Sequence, residues 1–300
     1  MLQILTHDIL PVFSVLALGF LLGRAGKVSR DEAAAINRVA FLVLQPALIY
    51  PLMASVDFEA FAFGALGLYA VCQGVVFVLA RWVALSVFER EPLEAWLLAM
   101  TTVFVNSLLY IWPISFLIYG EAAALPITAA VAWDASVTFA FFIISTDLMA
   151  NRQANLAQSL SRVGSNPVLI AIALGAAVNL VGITTPEPFL TAMDFAGAGA
   201  APLTLFALGV ILSGHSMVPN GTVMGMSAIK LLAFPALVWA ALLIFPQPGN
   251  WSQMFLLNAA GPSGAMAFAL AMLHGVRTDT IAPVIIWTSL LSLISLSALA

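Results

Sequence analysis

The stretch VFVNSLLYIWPISFLIYG at residues 103–120 contains an asparagine, Asn106, and a proline, Pro113, inside a long apolar run. A second stretch, LLNAAGPSGAMAFALAM at residues 256–272, repeats them as Asn258 and Pro262. A proline within a helix removes a backbone donor and frees the carbonyl four residues earlier, so the helix kinks or breaks. Both stretches are therefore predicted to contain an interrupted helix.

The apolar character of these stretches extends over the whole chain of 300 residues, of which 62% are hydrophobic and 8% are charged. A soluble domain carries roughly 25% charged residues. This composition excludes a cytosolic enzyme, a nucleic-acid binder and a disordered protein. The chain has one cysteine, Cys72, so it has no internal disulfide or cysteine-based metal site. We predict an all-α polytopic membrane protein.

Apolar runs long enough to cross a bilayer core of roughly 30 Å define the predicted helices. There are ten of them, separated by short connections that leave no room for a soluble domain. We predict a first five-helix repeat at 1–149, a cytoplasmic linker at 150–165 and a second five-helix repeat at 166–300. The predicted spans are 8–23, 35–54, 60–82, 95–118, 122–146, 166–183, 190–213, 222–245, 252–273 and 280–299.

The basic residues other than Lys230 test this count, because cytoplasmic connections carry an excess of Lys and Arg. All of them fall in the odd-numbered connections or at the span ends beside them, and none falls in an even-numbered connection or a terminus. The odd connections are therefore predicted to be cytoplasmic, and both termini to lie outside the plasma (inner) membrane. The basic residues are Arg24, Lys27, Arg30, Arg38, Arg81, Arg90, Arg152, Arg162 and Arg277.

An odd number of spans in each half forces the two halves into opposite orientations. Matching residues recur in the same order in both halves, which supports an inverted repeat. They are Gln45-Pro46 and Ala201-Pro202 in spans 2 and 7, Asn106 with Pro113 and Asn258 with Pro262 in spans 4 and 9, and Trp133-Asp134 and Trp287-Thr288 in spans 5 and 10. Inverted repeats with interrupted helices in equivalent positions are typical of secondary transporters.

The interrupted helices predict a binding site at the bilayer midplane. Pro113 would be the first residue of an outer half-helix, where its missing N–H costs nothing. The free amides of such a half-helix carry partial positive charge and favour an anion. Pro262 and Ser263 would form the equivalent site in span 9. The alternative interpretation is that the prolines only kink packed helices. Asn106 and Asn258 would hold the substrate or cap freed backbone groups.

Three further polar side chains lie within predicted spans. Asp134, near the middle of span 5, is interpreted either as a proton-coupling or gating acid or as a structural acid bonded to a neighbouring helix. Lys230 in span 8 would neutralise an anionic substrate, pair with Asp134 or extend toward the headgroups. Gln45 beside Pro46 is a further candidate for substrate binding.

These stretches resemble the auxin efflux carrier family, which includes plant auxin exporters and bacterial malonate-type carriers. The resemblance rests on residues 10–50, on span 4 ending in Tyr119-Gly120, on APLTLFALGVIL at 201–212, on Lys230 with Pro235, and on NAAGPSGAMAFALA at 258–271. It implies ten helices in two inverted repeats, with broken helices 4 and 9 crossing at the midplane. It also implies a homodimer with helices 3–5 and 8–10 as the moving unit. Trp112 stands where family members carry glycine, and it is expected to narrow the pocket.

The function we expect is a secondary carrier of small organic anions, such as auxin-like or malonate-like carboxylates, that works by elevator-type alternating access. Asp134 would be the proton-sensitive element, and no cofactor is required. Motifs of membrane enzymes and ATP-driven pumps are missing from the sequence, which argues against an enzyme. Two alternatives remain open, a sodium-coupled symporter of the bile-acid type and a membrane receptor that binds a ligand without moving it.

Overall fold

The computed structural model describes residues 2–151 and 156–300, and the regular elements of these residues are helices. Predicted cytoplasmic Arg152 and part of the predicted linker lie outside the described residues. The longer helices are α1 (Leu2–Arg24), α2 (Arg30–Ala54), α3 (Phe63–Ser86), α4 (Pro92–Val103), α5 (Trp112–Tyr119), α6 (Ala124–Trp133), α7 (Phe139–Ala150), α8 (Leu156–Gly164), α9 (Pro167–Val181), α10 (Glu187–Leu212), α11 (Gly221–Ile244), α12 (Gly249–Ala260), α13 (Met266–Leu273) and α14 (Ile281–Leu299).

The lengths of these helices indicate a protein that crosses a membrane several times. Within the described residues, seven helices are long and apolar enough to cross a bilayer, or eight if α8 and α9, which meet at a 65° bend, form one span. The sequence predicts ten. The difference arises because α4, α12 and α13 have only 12, 12 and 8 residues. In addition, the helical turns from Ser107 to Ala150 follow one another without a gap, so these 44 residues count as one helix.

That run is too long for a single crossing, because at roughly 1.5 Å per residue it would measure about 66 Å. It is interrupted by a 3-10 turn at Gly120–Ala123, where Gly120 has a φ of 59° that glycine tolerates best. The helices on the two sides of this turn, α5 and α6, contact each other. The count of ten spans remains a prediction.

Four prolines inside the helices follow π-helical turns rather than breaks. The pairs are Leu5–Ile9 before Pro11, Ala40–Leu44 before Pro46, Ser107–Ile111 before Pro113 and Ile229–Ala233 before Pro235. A wider turn makes room for a ring that has no N–H and would clash with the carbonyl four residues earlier. The helix therefore continues through Pro113, and the prediction that Pro113 begins the outer half-helix is wrong.

The actual breaks lie at residues 104–106 and 261–265, after the ends of α4 and α12. The two extended segments pair with each other through an antiparallel bridge between Val105 and Ser263. The amide of Asn106 donates to the Pro262 carbonyl at 3.1 Å, and that of Gly264 donates to the Phe104 carbonyl at 2.8 Å. Each break thus provides hydrogen-bond partners for backbone groups of the other. Such partners are necessary because the interior of a bilayer offers none.

The described part of the predicted linker contains α8, and Asp147 holds this helix in place. The Asp147 carboxylate accepts hydrogen bonds from Ser159 Oγ at 2.8 Å and from Arg162 Nη1 at 2.7 Å. The Nε2 atom of His274, just after α13, lies 3.0 Å from the same carboxylate. One buried acid therefore connects the end of α7 to α8 and to the end of α13.

Helices α1 and α10 approach each other closely because, at their contact, a glycine of each helix faces the backbone of the other helix. A Cβ atom added at Gly209 would lie 2.1 Å from the Leu16 carbonyl oxygen and 2.7 Å from the Phe20 amide nitrogen. A Cβ atom added at Gly19 would lie 2.1 Å from the Phe206 carbonyl oxygen. The backbones themselves are in contact, so the space for a side chain is missing.

We expect Gly209→Ala to lower the thermal unfolding midpoint of the purified protein by about 5 °C, because overpacking costs roughly 1–3 kcal/mol and each kcal/mol shifts the midpoint by about 2–4 °C. Scanning fluorimetry in detergent measures this shift. The matched control is Gly74→Ala on α3, where an added Cβ meets no atom within 4 Å. Equal midpoints for the two variants would contradict the close contact of α1 and α10.

Candidate functional site

A cavity of about 160 Å³ lies beside the paired breaks. Most of its wall is apolar, and its polar side chains come from α2, α10, the segment around the first break and the π turn at Asp134–Thr138. No Lys, Arg or His side chain of the described residues lines it. Its polar lining residues are Asn37, Gln45, Asn106, Ser107, Asp134 and Thr204.

Two helix beginnings face this cavity. After the first break the chain resumes helical structure at Ser107, and after the second break it resumes at Met266. In the described part of the chain, the amides of Ser107, Leu108 and Leu109 donate no hydrogen bond to the protein. The same holds for the amides of Met266 and the two residues that follow it. Free amides at both helix beginnings give the cavity a partial positive charge that favours an anion.

Asp134 lies at the wall of the cavity, in a π turn (Asp134–Thr138) between α6 and α7. Its side chain is 2% exposed. Its Oδ1 atom accepts a hydrogen bond from Gln73 Nε2 at 2.7 Å, and its Oδ2 atom accepts one from Ser107 Oγ at 2.6 Å. Donors on both oxygens stabilise the ionised carboxylate. Asp134 therefore connects α3 to the beginning of the helix that follows the first break.

Asn258 joins the same carboxylate to the second broken helix. Its Nδ2 atom donates to Tyr69 Oη at 2.8 Å and lies 3.3 Å from Asp134 Oδ2. Its Oδ1 atom is buried and has no hydrogen-bond partner among the described residues. We call this set of side chains the Asp134 network, and it consists of Tyr69, Gln73, Ser107, Asp134 and Asn258.

Gln73 and Tyr69 are members of this network that sequence reasoning missed. Gln73 is oriented by Trp133, whose Nε1 atom donates to Gln73 Oε1 at 2.6 Å, so that its amide group faces Asp134 and the Val103 carbonyl. The signal was present in the sequence, because Gln73 is a polar residue within an apolar span, as Asp134 is. Asn37 and Thr204, which line the cavity, were also missed.

Lys230 is buried in the core near the second break. Its side chain is 0% exposed, its Nζ atom donates to the Ala259 carbonyl at 2.8 Å and lies 4.8 Å from the centre of the Phe234 ring. The alternative that Lys230 extends toward the headgroups is therefore wrong, because its π turn directs the side chain inward to a carbonyl at the end of α12. It forms no direct ion pair with Asp134 within the described residues.

The predicted site residues divide into two groups. Gln45, Asn106 and Asp134 line the cavity, and Gln45 Nε2 also lies 3.4 Å from Thr204 Oγ1. The others lie behind its wall. Asn258 bonds to Asp134, the Pro262 carbonyl and Ser263 form part of the paired breaks, and Lys230 contacts Ala259.

Trp112 and Pro113 lie one turn beyond the cavity. The Trp112 ring packs against Phe116 with a centroid separation of 4.6 Å. Because neither residue is part of the cavity lining, Trp112 does not narrow it as the sequence led us to expect. The π turn at Ser107–Ile111 separates them from the break.

The side chains of the described residues include no cluster of three His, Cys, Asp or Glu groups that could hold a metal ion. The donors that the cavity does offer are amide, hydroxyl and backbone N–H groups. Such a lining is suited to a small polar organic molecule with a negatively charged group.

Comparison with known proteins identifies the family of the chain. The family described as "Membrane transport protein" matches residues 4–300. An "Uncharacterized transporter" of Methanothermobacter thermautotrophicus is 25% identical over 298 residues, which cover 97% of this chain and 96% of that protein. A "Putative malonate transporter" of Rhizobium meliloti is 24% identical over 306 residues, which cover 98% of this chain and 94% of that protein. The "Uncharacterized transporter YfdV" of Escherichia coli is 21% identical over 288 residues, which cover 93% of this chain and 91% of that protein.

The match therefore runs along nearly the whole chain and includes both breaks and the Asp134 network. Its members are transporters and not enzymes. The chain belongs to the membrane transport protein family that contains the auxin efflux carriers.

Proposed function

We propose that the protein is a secondary active carrier of small organic anions, with carboxylates as the substrate class. The observation that carries this proposal is the pair of helix beginnings, at Ser107 and Met266, whose free amides face one cavity. Two such ends attract a carboxylate without a basic side chain in the wall. The Rhizobium meliloti relative named for malonate supports the same substrate class.

The proposed architecture is ten spans in two inverted five-helix repeats, with the broken helices crossing at the bilayer midplane. It is supported by the antiparallel bridge between Val105 and Ser263, which places the two breaks at the same level. Helices α4 and α12 would each form the first half of a broken span. Elevator-type movement and a homodimer follow from the family resemblance.

The proposed location is the inner membrane, with both termini outside. In that orientation α2 begins on the cytoplasmic side at Arg30. Asn37 and Phe41, which line the cavity, lie in the first half of α2. Ala269 lines it from α13, whose end precedes the basic Arg277. The cavity therefore corresponds to a site that is reached from the cytoplasm.

Proton coupling through Asp134 is the second part of the proposal. An ionised Asp134 at the cavity wall repels a substrate carboxylate, and in a low-dielectric interior this repulsion is strong. If Asp134 takes up a proton as the anion binds, the repulsion disappears. One proton would then accompany each monovalent anion through the cycle.

Transport measurements on the purified protein in proteoliposomes test the function. We expect saturable uptake of labelled malonate or indole-acetate, faster with an acidic exterior than at equal pH, and counterflow when the same anion is loaded inside. Labelled choline serves as the control solute of opposite charge. Absence of saturable flux for every carboxylate, with and without a pH gradient, would refute the proposal, and binding without counterflow would indicate a receptor.

A further inference from the structure

We infer that Gln45 and Thr204 form a second subsite of the cavity, which binds an uncharged polar group at the end of the substrate remote from its carboxylate. The inference rests on the proposed function, since it takes the substrate to be a carboxylate, and it narrows the substrate class. The preferred substrate is then a short carboxylate with a second oxygen-bearing group, such as a hydroxyl, an amide or a protonated carboxyl. A carboxylate with a purely apolar remainder binds less well.

The two side chains of the second subsite belong to different helices that meet at the cavity wall. Gln45 of α2 follows the π turn at Ala40–Leu44, and Thr204 belongs to α10. The two residues are 9% and 7% exposed. Gln45 Nε2 donates to Thr204 Oγ1 at 3.4 Å, which is longer than the usual N–H···O distance of about 2.9–3.0 Å. Both side chains therefore lie in the wall and bond to each other only weakly.

Most of the hydrogen-bonding capacity of this pair is unused. Within the described residues, the 3.4 Å contact is the only side-chain hydrogen bond of either residue. The Gln45 amide has a second N–H donor and a carbonyl acceptor, and the Thr204 hydroxyl has a donor of its own. Polar groups that are almost buried normally have partners. Because the described protein offers none to these groups, the partner comes from the contents of the cavity.

The charges around the cavity indicate that the second group is bound uncharged. A helix beginning is equivalent to roughly half a positive elementary charge, so the beginnings at Ser107 and Met266 together balance about one carboxylate. No Lys, Arg or His side chain of the described residues lines the cavity, whereas Asp134 does. Lys230 bonds to a backbone carbonyl behind the wall. A second ionised group would be buried beside neutral donors without a counter-charge, which is costly.

The size of the cavity determines how the two subsites are used together. Its volume of about 160 Å³ is below the roughly 300–1,000 Å³ of pockets for drug-sized ligands. The helix that carries Thr204 contacts the π turn at Ser107–Ile111, which begins the helix after the first break. A short substrate with its carboxylate at the helix beginnings thus brings its other end to Gln45 and Thr204. This favours malonate-like over auxin-like substrates, because an indole ring is larger and mostly apolar.

Three acids of the same shape test the second subsite. In malonamate, malonate and isovalerate, the carbon beside the carboxylate carries an amide, a second carboxylate or an isopropyl group. At neutral pH we expect wild-type protein to bind malonamate at least about tenfold more tightly than either of the other two, which corresponds to about 1.4 kcal/mol. Shifts of the unfolding midpoint in detergent with ligand concentration give the affinities. Isovalerate bound as tightly as malonamate would overturn the subsite, and malonate bound more tightly would overturn its preference for an uncharged group.

Gln45→Leu is the decisive variant, because leucine is of similar size and has no polar side-chain atom. We expect its affinity for malonamate to fall at least about tenfold, whereas its affinity for isovalerate should change by less than about twofold. A merely structural role of Gln45 would weaken the binding of both acids. Equal losses for malonamate and isovalerate would therefore contradict the inference.

Thr204 provides a matched pair of variants. Thr204→Val has nearly the same shape without the hydroxyl, and it should bind malonamate at least about threefold more weakly than wild type. Thr204→Ser keeps the hydroxyl and should stay within about twofold of wild type. This pair decides the question if Gln45→Leu does not fold. The same affinity for malonamate in Thr204→Val and Thr204→Ser would then overturn the subsite.

Transport separates this inference from the proposed function. In proteoliposomes, we expect the concentrations for half-maximal counterflow to follow the same order as the affinities. If no variant transports any carboxylate but Gln45→Leu loses its preference for malonamate over isovalerate, the carrier function fails and the second subsite stands. If carboxylates are transported but wild-type protein does not distinguish malonamate from isovalerate, the second subsite fails and the carrier function stands.

Discussion

Replacing Asp134 by asparagine should lower the proton-driven accumulation of carboxylate at least about 100-fold. The rate at which internal substrate exchanges for external substrate should stay within about tenfold of the wild-type rate. The reason is that an asparagine side chain cannot take up or release a proton, whereas the free amides at the two helix beginnings, which would hold the anion, remain in place. Uptake driven by a pH gradient and counterflow at equal pH, measured on the same proteoliposomes, separate the two effects.

The same substitution replaces a carboxylate that accepts hydrogen bonds from Gln73 and Ser107 on its two oxygens, and a buried donor left without an acceptor costs about 1–3 kcal/mol. We therefore expect a lower unfolding midpoint that substrate raises. The control is Ser136→Ala in the same π turn, since among the described residues the Ser136 hydroxyl bonds only to the Ala132 carbonyl of its own helix. Accumulation at the wild-type level in Asp134→Asn would contradict the role of Asp134 in proton coupling.

Replacing Ser107 by proline should weaken substrate binding more than replacing it by alanine does. Ser107 is the first residue of the helix after the break, where proline is tolerated because the N–H has no partner within the helix. Proline removes this amide from the cavity, and a hydrogen bond to a charged group is worth roughly 1.5–3 kcal/mol. We expect the apparent affinity for carboxylate to fall roughly 10- to 100-fold relative to Ser107→Ala.

The alanine variant is essential to this comparison, because both variants lose the hydroxyl that donates to Asp134. Concentration dependence of counterflow gives the affinity, and the unfolding midpoint checks that both variants fold. Equal affinities for Ser107→Pro and Ser107→Ala, in folded protein, would show that the amides at this helix beginning do not hold the substrate. The equivalent amides at Met266 would then have to carry the binding alone.

The class of protein and the polar side chains at its centre follow from the amino-acid sequence alone. A chain with so few charges has to lie in a bilayer, and polar residues such as Asp134, Asn106 and Asn258 within apolar spans need partners inside the protein. The break after Asn258 was also predictable, because Gly261 and Pro262 both disfavour a continuous helix.

The position of the first break and the groups that surround it depend on long-range contacts in the folded chain. No proline or glycine marks residues 104–106, and their extended conformation depends on pairing with the second break, which is more than 150 residues away in the sequence. Pro113, the strongest local signal, is instead accommodated by a π turn. The direction of Lys230 likewise depends on a carbonyl that becomes available only where α12 ends. Local propensity specifies where a helix is difficult to continue, but the partner that satisfies the freed backbone groups belongs to the fold.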